Sequence, residues 1–157
     1  MSENNGIWKI YLSGEIHSDW REEISQGVGK AGIPAKLLAP NTVHADSDDC
    51  AAVILGEPES AFVRDNMGAK LNAIRTRKLI AEADIVVVRF GEKYRQWNAA
   101  FDAGYATALG KSLIIQHGPD LVHALKEVDA AALAVAETPA QVVELISYVI
   151  GGKLVRE

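Results

Sequence analysis

The run Asp84-Ile-Val-Val-Val-Arg-Phe90 constrains this chain more than any other stretch. A strand with one wet face alternates apolar and polar residues. Ile85 to Val88 are apolar in succession, the mark of a strand covered on both faces. Such strands lie inside parallel sheets, whose neighbours are joined by right-handed, usually helical crossovers. The remaining sequence therefore reads as strands alternating with helices. Ile7–Ser13 is a β-branched and aromatic strand that stops at Gly14, and Ala35–Ala39, Lys111–His117 and a weaker Ala131–Ala136 supply three more. The result is an α/β class, a flavodoxin-like doubly wound parallel sheet of five strands in three layers. A chain of 157 residues fits one domain, residues 1–157 with a core over 7–150.

The helices carry signals of uneven strength. Asp19-Trp-Arg-Glu22 has the spacing of a capping box and opens a helix that fades through Gly27, Gly29 and Gly32 before Pro34. Met67, Leu71 and Ile74 recur at helical spacing, which predicts a helix over 67–83 with Arg75, Arg77 and Lys78 on its wet side. After a loop over 91–97 comes a helix of small residues (Ala99, Ala100, Ala103, Gly104, Ala106, Ala108) that is able to lie close to a sheet. Thr138 as cap, Pro139 at the first helical position and Gln141 define a last helix. Its core face is Val142, Ile146 and Val149, and Gly151-Gly152 ends it. Residues 41–65 show no sustained period and many carboxylates, so a long loop is expected there.

Several function classes fall away early. Sixteen Lys and Arg stand against twenty-one Asp and Glu, for a formal charge of −5. An acidic domain gains nothing from counterion release, so nucleic acid is not an expected partner. No apolar run approaches the ~20 residues of a membrane span, and residues 1–6 lack the basic and apolar regions of a signal peptide. Cys50 is the only cysteine, which excludes an internal disulfide and a cysteine-based zinc site and suits the cytoplasm.

Three apparent motifs carry no chemistry. Gly27-Val-Gly-Lys-Ala-Gly32 has the letters of a dinucleotide fingerprint but closes a helix instead of opening one. His44-Ala-Asp46-Ser-Asp48-Asp49 resembles a calcium loop, yet Cys50 and Ala51 stand where an oxygen ligand and a glycine are needed. A solvated acidic loop is the expectation. His17, Ser18 and Asp19 are the residue types of a hydrolytic triad, but sequence neighbours do not point at one another as that chemistry requires. No metal and no cofactor are expected.

Ligands of doubly wound sheets bind beyond the carboxyl ends of the strands, and polar density gathers there. The first loop offers Ser13, Gly14, Glu15, His17 and Asp19. The third offers Glu92, Lys93, Tyr94, Arg95, Gln96, Trp97 and Asn98, with Asp102 one turn further on, sharing a helix face with Asn98. A carboxylate near a helix N-terminus is favoured in its ionised form, which suits a nucleophile. A bland alternative stands beside it, in which Asp102 only complements the helix dipole and Glu15 is a solvated turn residue.

Residues 10–24 (Ile-Tyr-Leu-Ser-Gly-Glu-Ile-His-Ser-Asp-Trp-Arg-Glu-Glu-Ile) and residues 90–106 followed by Ala108-Leu-Gly-Lys111 resemble the YtoQ family, which is grouped with nucleoside 2-deoxyribosyltransferase-like proteins. The resemblance spans roughly residues 7–150. It implies a flavodoxin-like fold, a homodimer or larger assembly, and a nucleoside or nucleotide-like small molecule as partner. Tyr11 matches a superfamily tyrosine on the first strand, and Gly14 the glycine that ends it. Asp102-Ala-Gly-Tyr-Ala106 matches the stretch holding the catalytic carboxylate, so the resemblance puts Asp102 in the nucleophile's place, where the superfamily normally has Glu. Six residues earlier Gln96 replaces a base-reading Asp, and an amide both donates and accepts.

The function implied is cleavage or transfer at an N-glycosidic bond of a nucleoside or nucleotide. Tyr11 would hold the Asp102 carboxylate, and Glu15 or His17 would protonate the leaving base. Trp97 or Trp20 would stack on that base, with core packing the favoured reading for Trp20. Lys93 and Arg95 would meet a 5′-phosphate or simply be solvated. The competing function is a non-catalytic nucleotide-like small-molecule binding protein on the same fold. A third reading has the acidic loop docking a protein partner.

Overall fold

The computed structural model describes residues 6–156. Its elements run β1 (Trp8–Gly14), α1 (Trp20–Lys30), β2 (Ala35–Leu38), α2 (His44–Leu55), α3 (Ala61–Glu82), β3 (Ile85–Arg89), α4 (Trp97–Ala108), β4 (Ser112–Gln116), a 3-10 turn at Pro119–Leu121, α5 (Lys126–Ala131), β5 (Ala134–Ala136) and α6 (Pro139–Gly151). All five strands join one sheet in the order β2-β1-β3-β4-β5, and every pairing is parallel. The expected α/β, doubly wound sheet is therefore present. β3 lies in the middle, with Ile85 to Val88 buried on both faces as their unbroken apolar run requires.

Side chains alternate across the sheet and feed two cores. On one face Ile10, Leu12, Val87 and Ile114 pack with Trp20, Ile24 and Val28 of α1 and Val142 and Ile146 of α6. On the other, Tyr11, Val86, Val88, Leu113 and Ile115 meet Ile80 of α3 and Ala99, Ala103 and Ala106 of α4. β1 sits between β2 and β3, so the chain leaves it in one direction and returns on its other side. That reversal is the topological switch point, where loops diverge at the carboxyl edge and leave a crevice.

Local signals explain most of these elements. The capping box of α6 forms in full, with Gln141 N–H donating to Thr138 Oγ1 at 3.2 Å, and Gly152 closes the helix at φ 68°. Gly27 serves packing and not phosphate binding, because a Cβ there would lie 2.8 Å from Val143 Cγ2 of the neighbouring α6.

Other expectations need correction. Asp19 precedes α1 but makes no side-chain capping bond. Residues 41–65 are not a loop: α2 fills 44–55 and α3 starts at Ala61, six residues before the predicted helix. The acidic stretch is the first half of α2, where His44 Nε2 lies 3.1 Å from Asp48 and Asp49 pairs with Arg64 of α3 at 2.9 Å. Only Ala51 and Ala52 of α2 are buried, so the helix has no apolar stripe to read. Ile74 and Val149, expected in the core, are exposed. The short α5 went unread. No helix among the described residues is long and apolar enough to cross a membrane.

Candidate active site at the carboxyl edge of the sheet

The crevice at the switch point contains two confluent cavities of about 720 and 420 Å³, within the usual size range of ligand pockets. They share Ser47, Asn72, Thr76, Asn98 and Asp102, so Asp102 stands at their junction. The smaller cavity is walled by Gly14, Glu15 and His17 after β1 and by Tyr94 to Ala99 before and within α4. The larger opens between α3 and α4, past Asp65, Arg77, Phe101 and Tyr105.

Asp102 lies in the second turn of α4, beyond the reach of the helix dipole's first-turn field. Burial pushes its carboxyl up from the ordinary aspartate range, and a hydrogen bond from Ser13 opposes that rise. The direction is opposite to what a first-turn position implies. The Ser13 hydroxyl donates to Asp102 Oδ2 at 2.6 Å. Tyr11, expected to hold this carboxylate, does not bond it. Its hydroxyl is fully buried without a hydrogen-bond partner, and the approaching Thr76 side chain does not reach bonding geometry. Burial raises the phenol to about 12, with the Asp102 charge adding to the rise, so Tyr11 is a neutral donor.

Glu15 is nearly buried, at 6% exposure. Its oxygens accept from Ser18 Oγ at 2.5 Å, from the backbone N–H of His17 and from Arg89 Nε at 3.2 Å. Burial pushes this carboxyl up, but those bonds outweigh it and hold Glu15 below the usual range. An occupied, ionised carboxylate has no proton to give. Above it Arg21 donates to the carbonyls of Leu12, Gly14 and Glu15 at 3.1, 3.3 and 2.7 Å. Burial pulls that guanidinium down to about 10, while it lies 4.5 Å from the Trp20 ring.

The sequence-predicted residues divide clearly. Gly14, Glu15, His17, Arg95, Gln96, Trp97, Asn98 and Asp102 line the smaller cavity. Ser13 reaches it through Asp102. His17 packs on Tyr94 with ring centroids 4.7 Å apart. Gln96 spends its carbonyl on the Gly91 N–H at 3.0 Å, leaving its amide nitrogen for a ligand. Trp97 is 74% exposed at the mouth, a free aromatic face. Trp20 is in the core instead, its indole donating to Glu15 O at 2.7 Å, so it offers no stacking surface. Asp19, Glu92 and Lys93 are exposed and outside both cavities.

Sequence reasoning missed Ser47, Asn72 and Thr76, which α2 and α3 bring to the junction. The only available sign was Asn72 and Thr76 at i, i+4 on a helix face. It also missed Arg89, although a charge ending a wholly apolar strand was visible. No group of His, Cys, Asp and Glu among the described residues has metal-binding geometry.

Comparison with known proteins places the chain among relatives. The family model described as Nucleoside 2-deoxyribosyltransferase YtoQ matches residues 11–150. Over 139 residues the chain is 42% identical to the uncharacterized protein YtoQ of Bacillus subtilis (strain 168), covering 88% of this chain and 94% of that one. Among solved structures, a conserved protein from Enterococcus faecalis V583 superposes with TM-score 0.60 at 14% identity, over 90% of this chain and 98% of its own. A 2-deoxyribosyltransferase from Bacillus psychrosaccharolyticus gives TM-score 0.51 at 19% identity, over 86% and 90%. At such identities the structures speak for the fold, whereas the sequence matches decide membership: this chain belongs to the Nucleoside 2-deoxyribosyltransferase YtoQ family.

Proposed function

We infer that the protein breaks and transfers N-glycosidic bonds of a nucleoside or nucleotide, with Asp102 as nucleophile. The observation that carries this reading is the position of the Asp102 carboxylate at the junction of two cavities, with one oxygen tied to Ser13. The other oxygen has no protein donor among the described residues and attacks the anomeric carbon as the bond to the base breaks. The electron pair of that bond goes to the departing base, which takes a proton from His17. An imidazole suits this because as a class it gives and takes protons near neutrality. Glu15 is left out of proton transfer because its oxygens are occupied.

The sugar develops oxocarbenium character beside Asp102, and the carboxylate stabilises that charge before forming the ester. Water (hydrolysis) or a second base (transfer) then displaces the carboxylate, returning a proton to His17. Ser13, and not Tyr11, orients the carboxylate during the attack. Trp97 stacks on the base, and Arg95 meets any anionic substituent.

The test is a panel of nucleosides and their 5′-monophosphates, followed for free base and base exchange. Turnover is expected, with a loss of roughly 10³-fold or more in Asp102→Ala. Its acidic limb should lie above the ordinary aspartate range, because the raised Asp102 must be ionised to attack. A pure preparation that neither releases nor exchanges any base overturns the reading. One observation favours a binding protein instead: Asp102 is a methylene shorter than the glutamate expected there and is already engaged by Ser13. Ligand-induced stabilisation without turnover, kept in Asp102→Asn, would decide for that alternative.

A further inference from the structure

Arg89 ends β3 immediately after four fully buried apolar residues. Its Nε donates to Glu15 Oε2 at 3.2 Å and its Nη1 to Gln116 Oε1 at 2.5 Å. Gln116 is buried and passes its own amide to the Glu137 carbonyl at 2.7 Å. The guanidinium is thus fixed from behind by β4 and the turn after β5, and it faces the loop after β1. That loop is drawn against the end of β3 by main chain as well, since Glu15 N–H donates to Arg89 O at 3.1 Å. Two glycines permit the approach. A Cβ on Gly14 would lie 2.1 Å from Arg89 O, and one on Gly91 would lie 2.7 Å from Glu15 Cγ.

The geometry points to Arg89 as a positioning residue: through Glu15 it fixes the loop over 14–18 and so sets where His17 stands relative to Asp102. Arg89 lines neither cavity, so it acts only through Glu15. Glu15 in turn bonds the His17 backbone and the Ser18 hydroxyl, which ties the turn over 15–18 to the Glu15 carboxylate. Stability alone does not account for the arrangement, because a buried ion pair is often no more stabilising than apolar residues of the same volume. What the pair supplies is a fixed geometry. Displacement of about 1 Å at a reacting group costs on the order of 10² in rate. The inference deepens the proposed function and rests on its assignment of His17 as proton donor.

The experiment compares Arg89→Gln and Arg89→Lys with the unaltered protein, in kinetics on the nucleosides that it turns over and in the NMR resonances of the His17 ring. In Arg89→Gln, kcat should fall roughly 10–100-fold and KM should change by much less, because the loop that moves carries the proton donor but forms only one wall of the smaller cavity. The His17 ring resonances should shift in a chain that still melts cooperatively. Arg89→Lys keeps the charge toward Glu15 but lacks the planar fork that also holds Gln116, so it should recover part of the lost kcat. Unchanged kcat and unchanged His17 resonances in folded variants overturn the inference, as does a loss confined to KM. If Arg89→Gln does not fold, Arg89→Lys is read by the same two measures. If the unaltered protein turns over no nucleoside, the proposed function fails on its own. The His17 resonances then decide here, a shift supporting the positioning role and no shift overturning it.

Discussion

The two faces of the sheet are built by different rules. On the α1/α6 face, large side chains interlock: Trp20, Ile24, Ile146 and the strand residues Ile10 and Leu12 are all essentially sealed. On the α3/α4 face, α4 meets the sheet through Ala99, Ala103 and Ala106, and α3 contributes Ile80 only near its end. The rest of α3, from Asp65 to Arg77, walls the cavities together with α2. One face is a closed core, whereas the other combines a thin core with a cleft. A helix seated on alanines brings its backbone close to the strands, and that closeness lets a side chain as short as Asp102 bond Ser13 on β1.

Three predictions probe that contrast. The largest effect belongs to the sealed face, where Ile146→Ala should cost about 2–5 kcal/mol in urea unfolding, since neighbours cannot collapse into the gap. Base release per folded molecule should stay as it was. An equal loss of turnover would mean the faces are not independent. Ala103→Leu adds volume where α4 touches the sheet and should cost about 1–3 kcal/mol. Here turnover should drop as well, because α4 carries Asp102, and a mutant with full activity would refute the link between close seating and chemistry.

The smallest effect is of opposite sign. Asp102→Asn removes a half-buried charge while keeping an oxygen for Ser13, so Tm at neutral pH should rise by roughly 1–3 °C. The sign follows from linkage: the folded-state carboxyl is raised, so the native protein binds the proton more tightly than the unfolded chain. Stability lost to Asp102 is therefore fully present above the raised value. It fades as pH falls, and the two proteins should converge below the ordinary aspartate pKa of about 3.9. A Tm gap that persists in acid would show another origin.

The sealed face was also the legible one. Its strands are β-branched runs, and α6 announces itself through Thr138, Pro139 and Gln141, because caps and apolar periodicity are local properties. The crevice at the carboxyl edge was legible as a place, since strand ends in such sheets are where chains diverge. The partners across it were not. Nothing in the spacing of Ser47, Asn72 and Thr76 says that they meet Asp102, because that meeting depends on how α2 and α3 pack beside α4 in three dimensions. α2 escaped notice for a related reason: a helix that buries only two alanines carries no stripe. For Trp20 the favoured core-packing reading holds over the stacking one: the side chain is buried and its indole nitrogen has a partner nearby in the backbone, the Glu15 carbonyl.

The reversal of winding at β1 has a consequence for how this molecule could be altered. The opening exists because successive crossovers turn away from each other, and no lining residue is needed to hold it apart. Exchanging Asn72, Thr76, Trp97 or Asn98 therefore re-lines the crevice without threatening its existence. The architecture is a fixed frame whose lining is open to side-chain replacement alone.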